Sequence, residues 1–327
     1  MSVVNELVNS MGSYRRALAR ALRRLLASHD DIVVVDADTL KSTGSFQAMD
    51  VDPERVINVG ISEQDLMGVA AGMAIEGMRP IVTGFGAFLM RAWEQVRNII
   101  DRDGLNVKIV ATHTGLSPHF DGSSHQALED IALMRSLART AVFSPADEAA
   151  TEAMVEWLVT RYKGPAYIRL GRDNAFTVYR NGEFRFRPGG ANILREPGDV
   201  TIIATGSMVG VALAAAKLLE DKGLTVGVVD VYSIKPINRK ILLEVVDESK
   251  VAVTLEEHRV IGGLGGAVAE LVAEEGVSTP LARLGVPAGR YGASARDYLT
   301  LLRYMKLDPE SVASKILSFY RNVSGGR

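Results

Sequence analysis

Glu63 is a residue whose type and position could support chemistry, because it is a carboxylate at the predicted start of an apolar helix. Gly60 ends a short β-branched run, Ser62 occupies the N-cap position, and Asp65 is placed to complete a capping box. The next residues, 66–74, are small and apolar, which predicts a buried helix with close backbone neighbours. Taken alone, this pattern favours an ordinary first-turn carboxylate that the helix dipole stabilises.

A second group of chemically capable residues lies in the loop 112–126, which follows a predicted strand. The loop contains His113, Asp121 and His125 among glycine, serine and proline residues. Open α/β sheets bind ligands at the carboxyl ends of their strands, which is where this loop begins. Three histidines, with His119 as the third, also raise the question of a metal site. They lie six residues apart on a loop without a helical i, i+4 pair, so the spacing disfavours a metal and favours a substrate.

Composition limits the function classes that this chain can belong to. With 327 residues, 47% of them hydrophobic and 23% charged, it is long enough for two globular domains. Its 37 basic and 39 acidic residues give a net charge of −2, so we expect no nucleic-acid partner. The absence of cysteine excludes disulfides and thiolate chemistry. No apolar run approaches the roughly 20 residues of a membrane span, and we expect a cytoplasmic protein without membrane contacts.

Helix and strand signals alternate along the chain, which is typical of an α/β fold with a mostly parallel sheet. The arginine-rich segment 14–28 carries an apolar stripe and leads into a strand at 32–36, so we interpret it as a core helix and not as a transit peptide. Further helices are predicted at 88–101 and 126–138, and the chain is predicted to end in a helical region. We predict two doubly wound α/β domains, with a first domain at 1–175, an interdomain linker at 176–199 and a smaller domain at 200–327.

The glycines at 262–266 could suggest a dinucleotide site, because a strand precedes them and a helix follows. Their spacing does not match Gly-x-Gly-x-x-Gly, since Val268 stands where the third glycine would be. We therefore expect no nucleotide there.

Two stretches resemble a known family. The motif Gly-Ile-Ser-Glu-Gln at 60–64 and, about twenty residues later, Gly-Phe-Gly-Ala-Phe-Leu-Met-Arg-Ala-Trp-Glu-Gln at 84–95 are similar to the pyrimidine-binding domain of thiamine-diphosphate enzymes of the transketolase and deoxyxylulose-phosphate synthase group. The resemblance implies that Glu63 hydrogen-bonds N1′ of the aminopyrimidine and acts as a proton relay. It also implies that Phe88, with Phe85 second, stacks on the pyrimidine, although aromatic residues at this spacing are more often simply core.

The loop Asp121-Gly122-x-x-His125-Gln126, with His113 twelve residues before His125, is similar to the transketolase substrate loop. The resemblance implies that Asp121 recognises a donor hydroxyl, that His125 bonds the reacting carbonyl or C1 hydroxyl in a catalytic role, and that His113 faces a sugar phosphate.

Arg172, Arg15 and Ser42 also stand at family positions that bind substrate phosphate. A guanidinium group suits a phosphate monoester, although each arginine could instead be a solvated surface residue. Arg91 is equally consistent with a salt bridge and with a phosphate contact, and His119 is given no role.

The diphosphate half of a thiamine-diphosphate site, Gly-Asp-Gly followed about thirty residues later by Asn, is nowhere in this chain. The resemblance covers nearly the whole chain but only the carboxy-terminal half of a one-chain transketolase. It therefore implies the C-terminal subunit of a split transketolase of the pentose phosphate pathway. An N-terminal partner subunit would supply the diphosphate and Mg²⁺ site, and this chain would form a homodimer within an α2β2 assembly acting on sugar phosphates.

Three alternatives remain open at this stage. The β subunits of 2-oxoacid dehydrogenases have the same two domains but lack the Asp-Gly-x-x-His-Gln loop. The Phe-Leu-x-Arg-Ala-x-Glu-Gln turn at 88–95 looks closer to deoxyxylulose-phosphate synthase, which leaves the acceptor open. A non-catalytic scaffold subunit is the third, and the intact Glu63, Asp121 and His125 argue against it.

Overall fold

The computed structural model describes residues 10–180 and 182–325. Residues 1–9, 326 and 327, at the outer ends of the two predicted domains, lie outside the described residues. Strands in chain order are β1 Met11–Gly12, β2 Ile32–Asp36, β3 Val56–Asn58, β4 Arg79–Phe85, β5 Lys108–Thr112, β6 Ala141–Phe143, β7 Ala166–Arg169, β8 Ala175–Phe176, β9 Asn192–Arg195, β10 Val200–Ala204, β11 Val226–Asp230, β12 Ser233–Lys235, β13 Val251–Arg259 and β14 Leu281–Val286.

The strands alternate with helices through both halves of the chain. In chain order the α-helices are α1 Tyr14–Ser28, α2 Leu40–Thr43, α3 Glu63–Ile75, α4 Gly86–Leu89, α5 Trp93–Gln95, α6 Asp130–Arg135, α7 Glu148–Arg161, α8 Met208–Glu220, α9 Arg239–Asp247, α10 Leu264–Glu274, α11 Tyr298–Met305 and α12 Pro309–Ser324. Short 3-10 helices span Ser45–Asp50, Pro53–Arg55, Met90–Ala92 and Ser123–His125, and Val96–Asp101 is a π-helical turn.

The first half of the chain forms a seven-stranded sheet in the order β12-β6-β7-β5-β4-β2-β3. All its neighbouring pairs are parallel except β12 with β6. The parallel register places Asp36 beside Thr83, Phe85 beside Thr112, and Ala111 beside Arg169. Because these residues end or nearly end their strands, the loops that follow them leave the sheet at one edge. That edge carries most of the predicted site residues.

The second half forms a five-stranded sheet in the order β14-β13-β10-β11-β9, parallel except for β9. Strand β12 comes from this half of the chain but pairs with β6 in the first sheet, so the two halves share backbone hydrogen bonds. The predicted class, two doubly wound α/β units with mostly parallel sheets, is confirmed. The predicted domain and linker boundaries stay predictions, and β9 lies inside the segment predicted as a linker.

Helix α1 shows how the sequence pattern determines packing. The six predicted stripe positions, Ala17, Leu18, Ala21, Leu22, Leu25 and Leu26, are all buried. On its outer side, Arg20 donates to Glu152 at 2.8 Å and to Glu148 at 2.6 Å, and both glutamates belong to α7. The segment 14–28, predicted to be a core helix and not a transit peptide, is a core helix.

Three helix predictions differ from the structure in detail. The helix predicted at 88–101 begins earlier, at Gly86, and changes between α-, 3-10 and π-helical hydrogen bonding along its length. The helix predicted at 126–138 is only Asp130–Arg135, because the residues before it remain part of the loop. The predicted terminal helical region also contains the strand β14 before α11 and α12.

Candidate active site at the carboxyl edge of the larger sheet

Four aromatic rings from the predicted site meet in one cluster. Phe85, at the end of β4, stacks on Phe88 with ring centroids 5.1 Å apart and planes 4° apart. On its other side Phe85 stacks on His113, with centroids 3.8 Å apart and planes 9° apart. His125 lies edge-on to Phe88 at 5.1 Å. The strand-to-helix turn at 85–88 and the loop 112–126 thus contact each other through the residues predicted to carry the chemistry.

Gly86 permits this contact. A Cβ atom there would lie 2.8 Å from Thr114 Cγ2 and 3.0 Å from Ala127 Cβ, both in or beside the loop 112–126. Since real Cβ atoms do not approach carbon so closely, any larger residue at this position would push the Phe85–Phe88 turn away from the loop.

Glu63 is the first residue of α3 and is 9% exposed. Among the described residues its side chain has no hydrogen-bond or ion-pair partner. Helix α3 packs against β4 and against the Met90–Ala92 and Val96–Asp101 segments that continue from Phe88. The result is a mostly buried carboxylate without a partner, on the helix that supports the aromatic turn.

The predicted capping box at this helix is wrong. Ser62 does occupy the N-cap position, but its side chain makes no capping bond. Its Oγ donates instead to the Val59 carbonyl at 3.1 Å, within the tight turn before the helix. The Ser62 hydroxyl is therefore used within the turn and does not accept a hydrogen bond from an amide of the first helical turn.

A charged group lies beside the aromatic cluster. Arg15 Nε donates to Asp173 Oδ1 at 3.2 Å, and Arg15 Nη1 donates to the Ser42 carbonyl at 3.2 Å. Arg172 lies 3.8 Å from Asp121 (Nη1 to Oδ2) and 3.6 Å from Asp173 (Nε to Oδ2). The structure therefore brings the predicted phosphate-binding residues together, but Ser42 enters through its backbone and Asp173 was not predicted.

His113 connects the charged group with the aromatic cluster. Its side chain is buried, its backbone has a positive φ of 53°, and its Nδ1 lies 2.9 Å from Thr112 Oγ1. Burial, with the Arg172 and Arg15 guanidinium groups next, lowers the pKa of His113 to about 3. The imidazole is therefore neutral at ordinary pH and offers a directional hydrogen bond but no positive charge.

Asp36 fixes the neighbouring loop that presents Ser42. Its buried carboxylate accepts from Thr83 Oγ1 at 2.6 Å and from Thr39 Oγ1 at 2.9 Å. Burial raises the pKa of Asp36 above its ordinary value. The sequence identified Asp36 only as the end of a strand, and we interpret it as structural support.

The second half of the chain holds the loop 112–126 in place through Glu257. This buried carboxylate accepts from the Leu116 amide at 2.6 Å and from Ser207 Oγ at 2.7 Å. Gly115, at φ 62°, fits only without a Cβ, which would lie 2.6 Å from Glu257 Cδ. This role of Glu257 was not predicted, but two adjacent glutamates, Glu256 and Glu257, directly after the mostly apolar run 251–255 were a usable signal.

Two further contacts brace the same loop from the second half. Gln126 Nε2 donates to the Ala293 carbonyl at 2.9 Å, and the Ala295 amide donates to the His119 carbonyl at 2.8 Å. His119 itself lies against Phe120 with ring centroids 4.2 Å apart, and Arg91 is exposed. His119 and Arg91 are not part of the aromatic cluster.

The glycine-rich segment at 262–266 opens α10, but its amides already have a partner. The Leu264 and Gly265 amides donate to the Glu256 carboxylate at 2.7 and 2.8 Å. The helix terminus that would hold a phosphate in a dinucleotide site is therefore occupied by a side chain. Over residues 10–180 and 182–325, no group of three or more histidine or acidic side chains is placed to hold a metal ion. In the same residues no helix combines the length and the apolar character needed to cross a bilayer.

Comparisons with known proteins match both halves of the chain. Residues 10–177 match the pyrimidine-binding domain of transketolase, and residues 189–312 match the transketolase C-terminal domain. A putative transketolase C-terminal section from Methanocaldococcus jannaschii is 39% identical over 307 residues, which covers 93% of this chain and 95% of that relative.

A solved structure described as a split-gene transketolase, an inactive β4 tetramer, is 42% identical with a TM-score of 0.83, over 94% of this chain and 98% of that one. The 1-deoxy-D-xylulose-5-phosphate synthase of Thermomicrobium roseum is 34% identical over 94% of this chain. This chain spans only 48% of that synthase's length.

Proposed function

The chain belongs to the transketolase family, and on that premise we propose that it is the C-terminal subunit of a heteromeric transketolase. The reaction is the transfer of a two-carbon ketol unit from a ketose phosphate to an aldose phosphate. The observation that carries this proposal is the convergence of Phe85, Phe88, His113 and His125 beside the Arg15 and Arg172 cluster. A flat ring site next to cationic side chains suits an aromatic cofactor and a phosphorylated substrate.

The side chains present fit one half of thiamine diphosphate. Phe88 is half-buried and leaves part of its ring free for the aminopyrimidine, with Phe85 stacked behind it. Glu63 provides a carboxylate without a protein partner, which suits N1′ of that ring. When bound, thiamine diphosphate would supply a carbon nucleophile for the donor carbonyl and an electron sink for the pair released when the donor's C–C bond breaks. In this proposal Glu63 holds and moves a proton at N1′.

The N-terminal partner subunit is proposed to hold the diphosphate and Mg²⁺. This chain contains no Gly-Asp-Gly motif followed by asparagine, and its described residues offer no metal-ligating cluster. The chain's own contribution is then the ring site and the substrate contacts.

The substrate contacts divide into two sets. His125, half-buried beside Phe88, is proposed to bond the reacting carbonyl or C1 hydroxyl, and Asp121 a donor hydroxyl. Arg15, Arg172 and the Ser42 loop are proposed to hold the phosphate, with His113 as a neutral hydrogen-bond partner. This arrangement places the two guanidinium groups at the phosphate end of the substrate and His125 at its reacting carbon.

Arg172→Ala is expected to raise KM for phosphorylated substrates by about 10- to 150-fold, because it removes one charge-assisted hydrogen bond worth about 1.5–3 kcal/mol. The kcat/KM for unphosphorylated analogues should change little. Steady-state kinetics of the two-subunit enzyme with matched sugar and sugar-phosphate pairs measures the difference. Arg303→Ala, on an exposed arginine of α11, is the control. If kcat/KM falls equally with the phosphorylated and the unphosphorylated substrates, Arg172 does not bind the phosphate.

Self-association of the chain is proposed from the free side of α3. The sequence predicted that this helix is buried with close neighbours, but within one chain that prediction is wrong. A Cβ atom on Gly68 or Gly72 would meet nothing within 4 Å, and Ile75 is 67% exposed. One side of the helix packs on the sheet and the other, made of small and apolar residues, faces outward. Homodimerisation, within an α2β2 assembly with the partner, would cover this side.

Light scattering of the isolated chain is expected to show a dimer or a tetramer. Gly72→Arg should shift it to monomer, because a long charged side chain at this open position cannot be buried against a second apolar helix. Ser324→Arg, at the exposed end of α12, is the matched control and should leave the mass unchanged. A monomeric wild-type chain, both alone and with its N-terminal partner, would contradict the proposal.

The main competing function is a deoxyxylulose-phosphate synthase-like subunit. It is favoured by the 34% identity to such a synthase and by the turn at 88–95. The two functions differ in the donor, because a synthase of that type releases carbon dioxide from a 2-oxoacid and a transketolase does not. Carbon dioxide release from pyruvate therefore separates them.

A further inference from the structure

Asp173 lies directly on the guanidinium groups proposed to hold the substrate phosphate. Its Oδ1 accepts from Arg15 Nε at 3.2 Å, and its Oδ2 pairs with Arg15 Nη2. Its Oδ2 also lies 3.6 Å from Arg172 Nε. The carboxylate thus takes both donors of the Arg15 fork, which is the same two-point geometry that a phosphate group uses.

The pair lies in an open pocket and not in the core. Arg15 and Asp173 line a cavity of about 460 Å³ together with Ser13, Arg16 and Lys41. The Arg15 side chain is 26% exposed and that of Asp173 is 45% exposed. By contrast, the Arg169–Asp130 pair elsewhere in the domain is almost fully buried, as expected of a structural ion pair. An anion entering the cavity can therefore reach Arg15 if the Asp173 side chain rotates away.

The charges of two arginines and two aspartates at this position cancel one another. Arg15 and Arg172 contribute two positive charges, and Asp121 and Asp173 contribute two negative charges within 3.8 Å of them. Burial acts to raise the pKa of Asp173, but hydrogen bonds from Ser13 and Arg15 lower it further, so its pKa lies below the ordinary value. Asp173 is thus ionised at neutral pH, and a phosphate must compete with it.

On the premise of the proposed function, we propose that Asp173 is a specificity-determining residue that competes with the substrate phosphate for Arg15. The consequence is reduced discrimination between phosphorylated and unphosphorylated aldoses, since from Arg15 the phosphate gains only the difference between its own bonds and those of Asp173. The preference for phosphorylated aldoses then depends mainly on Arg172.

The test uses Asp173→Asn in the complex with the N-terminal subunit. Asparagine keeps the shape and an acceptor for Ser13 but removes the charge and the two-point pairing with Arg15. KM for ribose 5-phosphate as acceptor should fall about tenfold or more, the size expected for one charge-assisted hydrogen bond. The kcat/KM for ribose should change by no more than about twofold, because ribose has no phosphate group to form a charged bond with Arg15. Asp50→Asn, on a surface carboxylate that pairs with Arg23 outside this cavity, is the control.

Titration of inorganic phosphate into the isolated chain gives a readout independent of activity. Calorimetry should show tighter phosphate binding to Asp173→Asn than to wild type. Asp173→Ser, which also removes the charge, should behave in the same way if the asparagine variant does not fold. Unchanged or weaker binding of phosphate and of ribose 5-phosphate in the folded variants would overturn the proposal, because Asp173 would then only support Arg15. If the wild-type complex transfers no two-carbon unit to either acceptor, the proposed function fails, while the phosphate titration still decides the role of Asp173.

Discussion

Replacing Glu63 by glutamine should slow two-carbon transfer by about 10²–10⁴-fold, the range of a general acid–base contribution. Glutamine keeps the shape and one hydrogen bond but cannot move a proton at N1′ of the aminopyrimidine. The substitution leaves the substrate contacts proposed for His125, Asp121 and Arg172 in place, so KM should change little. The measurement is kcat and KM of the reconstituted two-subunit enzyme.

Asp65→Asn is the matched control for this substitution. Asp65 is an exposed carboxylate in the same first turn of α3, so it shares any helix-dipole contribution of about 0.3–1 kcal/mol. If Glu63 were only a first-turn carboxylate, both variants would lose similar thermal stability and keep their activity. Full activity of Glu63→Gln would show that Glu63 takes no part in the reaction.

The isolated chain with Mg²⁺ should bind thiamine diphosphate weakly or not at all, and the N-terminal subunit should strengthen binding by at least about 100-fold. The physical reason is that Glu63 and Phe88 are proposed to contact only the ring, while the diphosphate would depend on charge-assisted bonds worth about 1.5–3 kcal/mol each. Two such bonds from the partner already account for this factor. Calorimetry with and without the partner measures it.

Phe88→Ala in the assembled complex separates the ring contribution from the diphosphate contribution. Loss of the stacking surface should weaken cofactor binding only modestly, by about 0.5–1.5 kcal/mol beyond the lost contact area. Tight binding of thiamine diphosphate to the isolated chain would show that this chain contains a diphosphate site of its own.

The sequence was sufficient to predict a helix or a strand wherever its apolar residues form an uninterrupted stripe or run. The helix α1 and the apolar strand β2 have the bounds that were predicted for them. The strand was predictable because burial on both faces of a parallel sheet leaves a continuous apolar run. The edge strands β9 and β14 were not predicted. Edge strands are partly exposed and mix polar with apolar residues. Their sequences therefore show neither the continuous apolar run of a buried strand nor a clear alternation of polar and apolar residues.

The site residues that share a loop or a turn could be found from the sequence, but their partners could not. Phe85, Phe88, His113 and His125 were selected from short motifs, and the structure places them in ring contact. Asp173 and Glu257 were missed because their roles depend on contacts across more than a hundred residues, with Arg15 and with the Leu116 amide. Nothing local in the sequence indicates that an acidic side chain cancels a distant guanidinium charge.

The central claim is that this chain supplies the ring-binding and substrate-binding half of a transketolase. The most direct measurement is two-carbon transfer from a ketose phosphate to an aldose phosphate by the complex of this chain with its N-terminal subunit, in the presence of thiamine diphosphate and Mg²⁺. We predict transfer that requires both subunits and that is lost in Glu63→Gln. Absence of transfer, with decarboxylation of pyruvate or another 2-oxoacid in its place, would contradict the transketolase assignment and leave only the fold.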